Sequence, residues 1–351
     1  LYEACVLELF RRFLDKKLIK RTSRPLYWSI KQERPISEDE IEANYEEVPA
    51  RFVQFRVVDF SADPSLSRRI DNLTLIVHCT DHWALTGVQA VAVHPLVNYT
   101  VFELDNKFYM FSSHKFSKAF GDKIKKKGGR FLAQVLGKGL EDFIVEDPLT
   151  KKRIRVCMSE RLSAAVGTGI APVCPAHFID DYFLAQDYDL NKKGYIDRKG
   201  CFMPNRIEAF TGKTVHTGEL SKCVIDYFKE KDLLFKFEEE IKTIKYKHIM
   251  TKEEIILRDE QAWFCTIPDY IREDLLEELK QAQFIGKSKD EEYPTLLDAV
   301  EYRTSEFCIS TTAKWGIPIP VFLKKGKEGK DPEIFLDKHV VDHVTRLFRT
   351  Y

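Results

Sequence analysis

Two polar segments of this chain hold the residue types that could do chemistry. The first, HCTDHW at residues 78–83, directly follows an apolar run at residues 73–77, and the second is GTGIAPVCPAHFIDDY at residues 167–182. If the two segments meet in space, they enclose a small pocket with hydroxyls, backbone amides and a carboxylate, supplied by Thr80, Asp81, His82, His177 and Asp181. Such a pocket suits an ester that carries an amine, together with an attacking water molecule.

The second segment begins with Gly167-Thr168-Gly169, which leaves the backbone bare at one point. Glycine permits conformations and close approaches that side chains forbid, so this tripeptide favours a strand end at which a ligand contacts the backbone. Asp180 and Asp181 precede a run that predicts a helix, since carboxylates are favoured in the first turn. Asp181 could hold a ligand amine or cap the helix, and the segment alone leaves both interpretations open.

The sequence contains no pattern typical of other kinds of catalytic, nucleotide-binding or metal-binding site. No serine lies in a GxSxG elbow, and no glycine-rich phosphate loop follows a strand in this segment. His78 and His82 have a spacing that would bind zinc only on a helix, whereas their segment follows a predicted strand. Residues 187–198 lack the glycine and the glutamate that a calcium loop needs, because Lys192 and Arg198 stand there. The sequence therefore predicts no metal site.

Composition describes a globular chain of two or three structural units. The chain has 351 residues, 44% of them hydrophobic and 31% charged, and Lys plus Arg equals Asp plus Glu at 55 each. This balance gives no prior for an acidic or basic partner. The eight cysteines include no CxxC pair, which favours reduced thiols in an intracellular compartment. No apolar run approaches the roughly 20 residues of a membrane helix, so we expect no membrane partner.

The hydrophobic pattern predicts helices at both ends and a β-rich centre, from about residue 50 to 260. Helical spacing covers residues 2–18 and 335–348, and the stretch 233–247 is too mixed to predict one element. Both ends lie within helical patterns, and the first residue is Leu1 rather than Met, which predicts a fragment of a longer protein. Strands are predicted at residues 52–58, 73–77, 91–93, 99–104, 108–111, 130–136, 143–145, 153–156 and 263–268, with a hairpin turn at Asp105-Asn106.

Six segments, in order along nearly the whole chain, resemble class I aminoacyl-tRNA synthetases of the isoleucyl family. Each is weak alone, but their order and spacing are family-like. The forms YWS and WGIPIPVF are closer to isoleucyl than to leucyl or valyl enzymes, and the organellar or bacterial branch is the more similar one. The segments are RPLYWS (24–29), the acidic run at 35–42, LTGVQAVAVHP (85–95), GTG…PAHFIDDY (167–182), WFC (263–265) and CIS…WGIPIPVF (308–322).

The resemblance implies an α/β fold in which a β-rich, β-barrel-like editing domain is inserted into a Rossmann catalytic domain. Residues 1–46 would be the end of the first Rossmann half with its connecting strands. Residues 47–247 would be the editing domain, and residues 248–351 the return strands and the start of the second half. The two adenylation motifs of the family, HIGH and KMSKS, would lie outside this chain.

The resemblance also implies a task. Isoleucine and valine differ by one methylene, which is worth only about 1–3 kcal/mol of discrimination in a pocket, so a second site removes the wrong product. The parent would join isoleucine to tRNA using ATP and Mg²⁺, while this portion binds the tRNA acceptor end and hydrolyses valyl-tRNA. We expect a monomer in an organelle matrix, mitochondrial or plastid, rather than in the cytoplasm.

The family's functional positions carry over to several residues. Asp181 falls on the aspartate that holds the substrate amine, Thr80 on the centre of the threonine-rich peptide, and Trp315 on a tryptophan of the isoleucine pocket. Asp81 is assigned with Asp181 and Thr80 to catalysis. The expected substrate-binding residues are Gly167, Thr168, Gly169, His82, Trp83, His177 and Trp315.

The chain departs from the family pattern in the same two segments. The threonine-rich TTTPWT reads CTDHWA at residues 79–84, and Pro172 replaces the usual histidine after GTG. Two alternatives therefore stand beside an editing isoleucyl enzyme. One is a synthetase-derived tRNA-binding or structural protein without catalysis, and the other is a leucyl or valyl enzyme.

Overall fold

The computed structural model describes residues 2–60, 70, 72–116, 121–204, 207–236, 239–282, 296–298, 300–301, 306–311, 316–324 and 333–350. The chain divides into two compact units. Residues 24–260 form the central unit, and residues 1–23 with residues 261–351 form the terminal unit. The predicted domain limits at 46/47 and 247/248 both fall inside the central unit, and they stay a prediction.

Strands dominate the central unit, as the alternating pattern predicts. Those predicted at 73–77 and 130–136 are confirmed, the former with two further residues. In chain order the strands are β1 (Ile19–Ser29), β2 (Arg34–Pro35), β3 (Ile41–Asp59), β4 (Leu73–Cys79), β5 (Ala90–Val93), β6 (Asn98–Leu104), β7 (Lys107–Ser112), β8 (Arg130–Leu136), β9 (Ile144–Glu146), β10 (Arg153–Met158), β11 (Ile170–Val173), β12 (Glu239–His248), β13 (Glu254–Thr266), β14 (Glu306–Cys308), β15 (Phe322–Lys324) and β16 (Glu333–Phe335).

The longest strand, β3, organises the central unit because its two halves pair with different strands. Its first half pairs antiparallel with β12, from Ile41 opposite His248 to Ala50 opposite Glu239. From Arg51, opposite Cys79, it pairs antiparallel with β4. The end of β4 therefore meets β3 at the residue next to the one where pairing with β12 stops, and the polar segment at 78–83 leaves the sheet there.

A tight hairpin joins β6 to β7, as predicted from its turn. Asp105 and Asn106 both have positive φ, 54° and 61°, which matches the right-handed twist of the flanking strands. β7 also pairs in parallel with β4, which places β4 inside the sheet rather than at an edge. β7 thus holds the start of β4, and the pairing of Cys79 with Arg51 of β3 fixes the point at which the polar segment begins.

The core of the central unit is built from large aromatic side chains on these strands. Trp28, Phe55, Tyr99 and Phe143 are fully buried in one hydrophobic cluster. Removing a side chain of this size from water contributes roughly 1.5–3 kcal/mol. A second cluster surrounds Phe102 on the opposite side of the strands that carry it. The cores on either side keep the strand ends in place.

Among the residues that the structure describes, helices are few in the central unit and lie between strands. The described residues also include 3₁₀ turns at Glu38–Glu40, His82–Gly87, Gly137–Leu140 and Glu208–Phe210. The helices are α1 (Tyr2–Asp15), α2 (Ser113–Lys115), α3 (Gly121–Lys126), α4 (Ile179–Asp187), α5 (Glu219–Glu230), α6 (Asp269–Gln281) and α7 (Lys338–Thr350). Helix and strand content confirms the predicted α/β class with a β-rich centre.

In the terminal unit, α1 and α7 pack against each other. Lys338 pairs with Asp15 at 2.6 Å and Arg349 with Glu8 at 3.2 Å, so the two helices run antiparallel. The helices predicted at both ends of the chain are thereby confirmed. Within the part of the chain that the structure describes, no helix is both long and apolar enough to span a membrane.

Candidate active site

A cavity of about 670 Å³, the main cavity, lies where the two polar segments come together in the central unit. The segment after β4 contributes Thr80, Asp81 and Trp83. The second segment contributes residues 177–180, at the start of α4. The remaining wall consists of residues 242–246 of β12, residues 254–257 of β13, and Tyr45 of β3. The two segments therefore line one cavity. The sequence alone left open whether they meet in space.

The segment after β4 forms a compact polar turn before the 3₁₀ turn at His82–Gly87. The amide of Ala84 donates to the carbonyl of Asp81 at 2.9 Å, and the Thr86 hydroxyl donates to the carbonyl of Trp83 at 2.8 Å. These two bonds fix the backbone of residues 81–86, the part of the segment that follows Thr80. The side chains of Thr80 and Asp81 keep part of their surface exposed and line the cavity.

Asp81 is held by an ion pair with a lysine of the neighbouring strand. The Lys245 ammonium donates to Asp81 Oδ1 at 2.5 Å, and both side chains are largely buried, with 17% and 20% of their surface exposed. Burial by itself lowers the pKa of Lys245, but the neighbouring carboxylates of Asp81, Glu254 and Glu46 together outweigh burial, and the pKa is raised. Glu254 lies 3.7 Å from the same ammonium. Lys245 is therefore charged and lies between two carboxylates.

A second, smaller cavity of about 340 Å³ also borders this ion pair. It is bounded by Ile30 and by residues 215–218 before α5. Thr80, Asp81 and Lys245 line both cavities. The ion pair thus borders both cavities.

The glycines of the second segment serve its shape. Gly167 and Gly169 have φ of +55° and +69°. A Cβ on Gly167 would lie 2.3 Å from the His78 ring, and one on Gly169 would lie 2.6 Å from Cβ of Ser112. The side chain of Thr168 is buried, and its hydroxyl donates to the Ile170 carbonyl at 3.1 Å. Since none of the three residues lines the main cavity, the tripeptide packs the turn against β4 and β7.

Asp181 lies at the start of α4, as predicted, but its carboxylate is used within the segment. Oδ2 accepts a hydrogen bond from the amide of Cys174 at 2.7 Å. Burial raises the pKa of Asp181 to about 7, against the opposing effect of that hydrogen bond. The main cavity is lined by Asp180 and not by Asp181. Asp180 itself is exposed and pairs with Arg161.

His177 is one of the least exposed residues of the cavity wall, with 2% of its surface accessible. Its Nδ1 lies 3.1 Å from the carbonyl of Leu257, which can only accept, so Nδ1 carries the proton of the neutral ring. The ring packs edge-on against Trp83, with 4.6 Å between centroids. Burial lowers the pKa of His177 to about 4, so the ring is neutral at pH 7.

His82 resembles His177 in its environment but lies outside the cavity lining. Burial lowers its pKa to about 4 as well, although the neighbouring Asp81 carboxylate acts in the opposite direction. Nε2 of both rings has no hydrogen-bond partner among the described residues. Of the other residues assigned from the sequence, Thr80, Asp81 and Trp83 line the main cavity, and Trp315 lies outside the described residues.

Several residues of the cavity belong to no motif that could be recognised in the sequence. Lys245 and Lys242 belong to β12, where the sequence predicts no single element, and the Lys242 ammonium lies 5.0 Å from the centre of the Tyr45 ring. The β-branched residues Ile241, Thr243 and Ile244 were the available sign of a strand there. Among the described residues, no group of three or more His, Cys, Asp or Glu side chains could hold a metal ion.

Comparisons with known proteins identify the family of this chain. A family profile for "tRNA synthetases class I (I, L, M and V)" matches residues 1–349. The isoleucine–tRNA ligases of Staphylococcus epidermidis and Geobacillus thermodenitrificans are 29% and 28% identical over the whole chain, and the chain covers 36% of each. That of Lactococcus lactis is 26% identical and 35% covered. The chain thus spans about a third of the length of these relatives.

Two solved structures are similar over about half of the chain. One is titled GlLeuRS-CP1, with a TM-score of 0.44 and 14% identity, covering 54% of this chain and 99% of its own. The other is the editing domain of the P. knowlesi cytosolic leucyl-tRNA synthetase, with a TM-score of 0.41 and 11% identity, covering 54% of this chain and 96% of its own. Because the family profile matches all but the last two residues, the predicted family is confirmed, and this chain belongs to the class I tRNA synthetases.

Proposed function

We propose that this chain is part of an isoleucine–tRNA ligase, and that its main cavity binds the aminoacylated 3′ end of tRNA and hydrolyses mischarged valyl-tRNA. The observation that carries the proposal is the meeting of Thr80, Asp81 and His177 around one cavity in a chain of this family. At about 670 Å³, the cavity lies within the range of roughly 300–1,000 Å³ that is usual for small-molecule sites. A terminal adenosine with its amino acid is a ligand of that kind.

The rim of the cavity suits a nucleotide. Tyr45 is 69% exposed, and Lys242 lies over its ring. Aromatic rings stack on bases, and ammonium groups attract phosphates, in single-stranded nucleic-acid sites. The end of a tRNA could therefore enter past Tyr45 and Lys242 while its ester reaches Thr80.

The proposed reaction is the hydrolysis of an ester. Water attacks the carbonyl carbon, the bond from that carbon to the ribose oxygen breaks, and the proton is transferred to the ribose oxygen. The products are free valine and tRNA with an intact 3′ end. The Thr80 hydroxyl would donate to the oxyanion that develops on the carbonyl oxygen, a contact that is stronger in the transition state than in the substrate.

The remaining expectations belong to the longer protein. We propose that it joins isoleucine to tRNA with ATP and Mg²⁺ through motifs outside this chain, with Trp315 in its isoleucine pocket. A monomer in a mitochondrial or plastid matrix is proposed on the resemblance alone. The amine of the substrate needs a carboxylate, and there are two candidates: Asp181 by resemblance and Asp81 by position.

Deacylation tests the proposal. The 351-residue chain, incubated with an isoleucine-accepting tRNA charged with valine, should release valine faster than it releases isoleucine from the same tRNA. Thr80→Val removes the hydroxyl at nearly constant volume and should slow release by roughly 100-fold, the usual effect of losing one oxyanion donor. Thr74→Val, in the preceding strand β4, is the matched control, because Thr74 lies outside the cavity lining.

A second candidate function is tRNA binding without hydrolysis. It is favoured by Pro172, which stands in β11 where the family has a histidine. Binding of the charged tRNA without release of valine would support this candidate over the first. Absence of binding would contradict both.

A further inference from the structure

One segment of the central unit is strongly basic, although the chain as a whole carries 55 residues of each charge. Residues 121–140, which contain α3 and β8, include six Lys or Arg side chains and a single acidic residue, Asp122. Most of the charge lies at the start of the segment. We call this part the basic patch, and its members are Lys123, Lys125, Lys126, Lys127 and Arg130.

The fold holds the basic patch at the surface. Ile124 is fully buried in the hydrophobic cluster around Phe102 and anchors α3 to the sheet. The side chains of the patch are all exposed. Lys125 and Lys126 form no ion pair within the part of the chain that the structure describes, whereas Arg130 pairs with Glu103 at 2.6 Å. At least two ammonium groups are therefore available to an anionic partner.

β8 extends this surface with an aromatic and two aliphatic side chains. It pairs with β6 and with no other strand among the described residues, so it forms an edge of the sheet. Phe131 is 54% exposed, and Leu132 and Leu136 are exposed as well. Ammonium groups beside an exposed aromatic ring are the combination that binds nucleic acids, through phosphates and bases respectively.

The basic patch is remote from the main cavity. β8 runs parallel to β4, and their register aligns Leu75 of β4 with Ala133 of β8 across β7 and β6. Thr80 follows Leu75 in the chain, whereas α3 precedes Ala133, so the two sites lie toward opposite ends of these strands. With about 3.3 Å per residue and about 4.8 Å per strand, they are roughly 30 Å apart. An aminoacyl adenosine is too short to contact both sites, but a tRNA is long enough.

We propose that the basic patch binds the phosphate backbone of tRNA while the aminoacylated 3′ end lies in the main cavity. The inference deepens the proposed function and rests on it for the identity of the ligand. A phosphate is the anion that a tRNA presents far from its ester, and the patch matches it in charge. Because this contact does not involve the ester, it should strengthen binding without changing the rate of hydrolysis at saturation.

Binding of uncharged, isoleucine-accepting tRNA to the 351-residue chain tests the assignment. Fluorescence anisotropy from about 50 to 200 mM salt gives the slope of log K against log salt concentration. The double variant Lys125→Gln, Lys126→Gln, the patch variant, should make this slope shallower by about 1.5, the effect of two lost phosphate contacts. Binding at about 100 mM salt should weaken roughly tenfold.

The double variant Lys229→Gln, Lys231→Gln is the matched control. It removes two exposed lysines at the end of α5, whose buried side chains belong to the other hydrophobic cluster. It should keep the wild-type slope. A stable adenosine analogue that carries valine through a 2′-amide is the second control, since it is too short to reach the patch. The patch variant should bind this analogue as the wild-type chain does.

Equal slopes for the wild-type chain and the patch variant would overturn the assignment and leave the proposed function intact. If the patch variant also formed dimers in size-exclusion chromatography, the lysines would instead protect the edge strand β8 from pairing. The assignment also fails if the patch variant loses affinity for the analogue as strongly as for tRNA, because the effect would then arise at the cavity. If the wild-type chain binds neither tRNA nor the analogue, the proposed function fails as well.

Discussion

The turn after β4 and the turn before β11 both contain a threonine and both lie in the segments expected to form the site, yet the structure uses them differently. In the first turn, the backbone is fixed by its own hydrogen bonds and the side chains of Thr80 and Asp81 face a cavity. In the second, Thr168 is buried and the two flanking glycines are required by space. The first turn presents polar side chains to the cavity, and the second packs against β4 and β7.

The two carboxylates repeat this contrast. Asp81 is paired with a lysine and borders two cavities, whereas Asp181 is occupied by a backbone amide. Identical functional groups in two neighbouring segments thus have different environments, and the environment changes what each group can bind. A motif that is prominent in the sequence can therefore fix the backbone, while a less conspicuous turn lines the cavity.

The largest effect should come from breaking the structural turn. Gly167→Ala introduces both a strained positive φ and a contact of 2.3 Å with the His78 ring, so we expect a loss of about 3 kcal/mol in the free energy of unfolding. Chemical denaturation measures it.

Gly212→Ala separates the two causes, because Gly212 has φ +76° but nothing within 4 Å of its Cβ position. It should cost only about 1 kcal/mol, the part due to conformation. Equal losses for the two variants would show that the turn at Gly167 relaxes and does not hold the wall.

The next effect concerns Asp181 and depends on pH. Its pKa is raised to about 7 in the folded chain, from an ordinary value of 3.8. The stability that this group contributes is therefore fully present below about pH 4 and is lost as the pH rises through 7. Asp181→Asn removes the charge and should stabilise the chain at pH 8 by about 2 kcal/mol, with little effect at pH 4.

Denaturant titrations at the two pH values test this. Asp180→Asn is the neighbouring control, since Asp180 is exposed and pairs with Arg161 at the surface. It should change stability by less than about 0.5 kcal/mol at either pH. Destabilisation of Asp181→Asn at pH 8 would mean that the charged form is favoured at this position, as a ligand-binding carboxylate requires.

The sequence is sufficient for elements whose cause is local. The β6–β7 hairpin follows from Asp105-Asn106, which tolerate positive φ. The start of α4 follows from its acidic first turn, at Asp180 and Asp181. The buried strand β4 follows from its mostly apolar run at residues 73–77, interrupted only by Thr74.

The sequence is not sufficient where pairing between distant segments determines the secondary structure. β12 is a strand because ten of its residues pair with β3, nearly 200 positions earlier in the chain, and its own pattern is mixed. Lys245 therefore could not be placed beside Asp81 from the sequence. The destination of the Asp181 carboxylate was equally hidden, since neither interpretation of it included the amide of Cys174.

The smallest predicted effect is the difference between two ion pairs near the cavity. Asp81–Lys245 is largely buried, whereas Asp180–Arg161 is 66% and 68% exposed. Double-mutant cycles should give a coupling of about 1–2 kcal/mol for the first pair, and less than about 0.5 kcal/mol for the second, which solvent screens. Asp81→Asn and Lys245→Met form the first cycle, and Asp180→Asn and Arg161→Met the second.

Salt extends the comparison, because 0.5 M NaCl screens exposed charges more than buried ones. It should leave most of the Asp81–Lys245 coupling intact. Similar couplings for the two pairs, equally sensitive to salt, would show that Asp81 is no better held than a surface carboxylate. In that case the turn after β4 would lose the fixed anion that distinguishes it from the turn before β11.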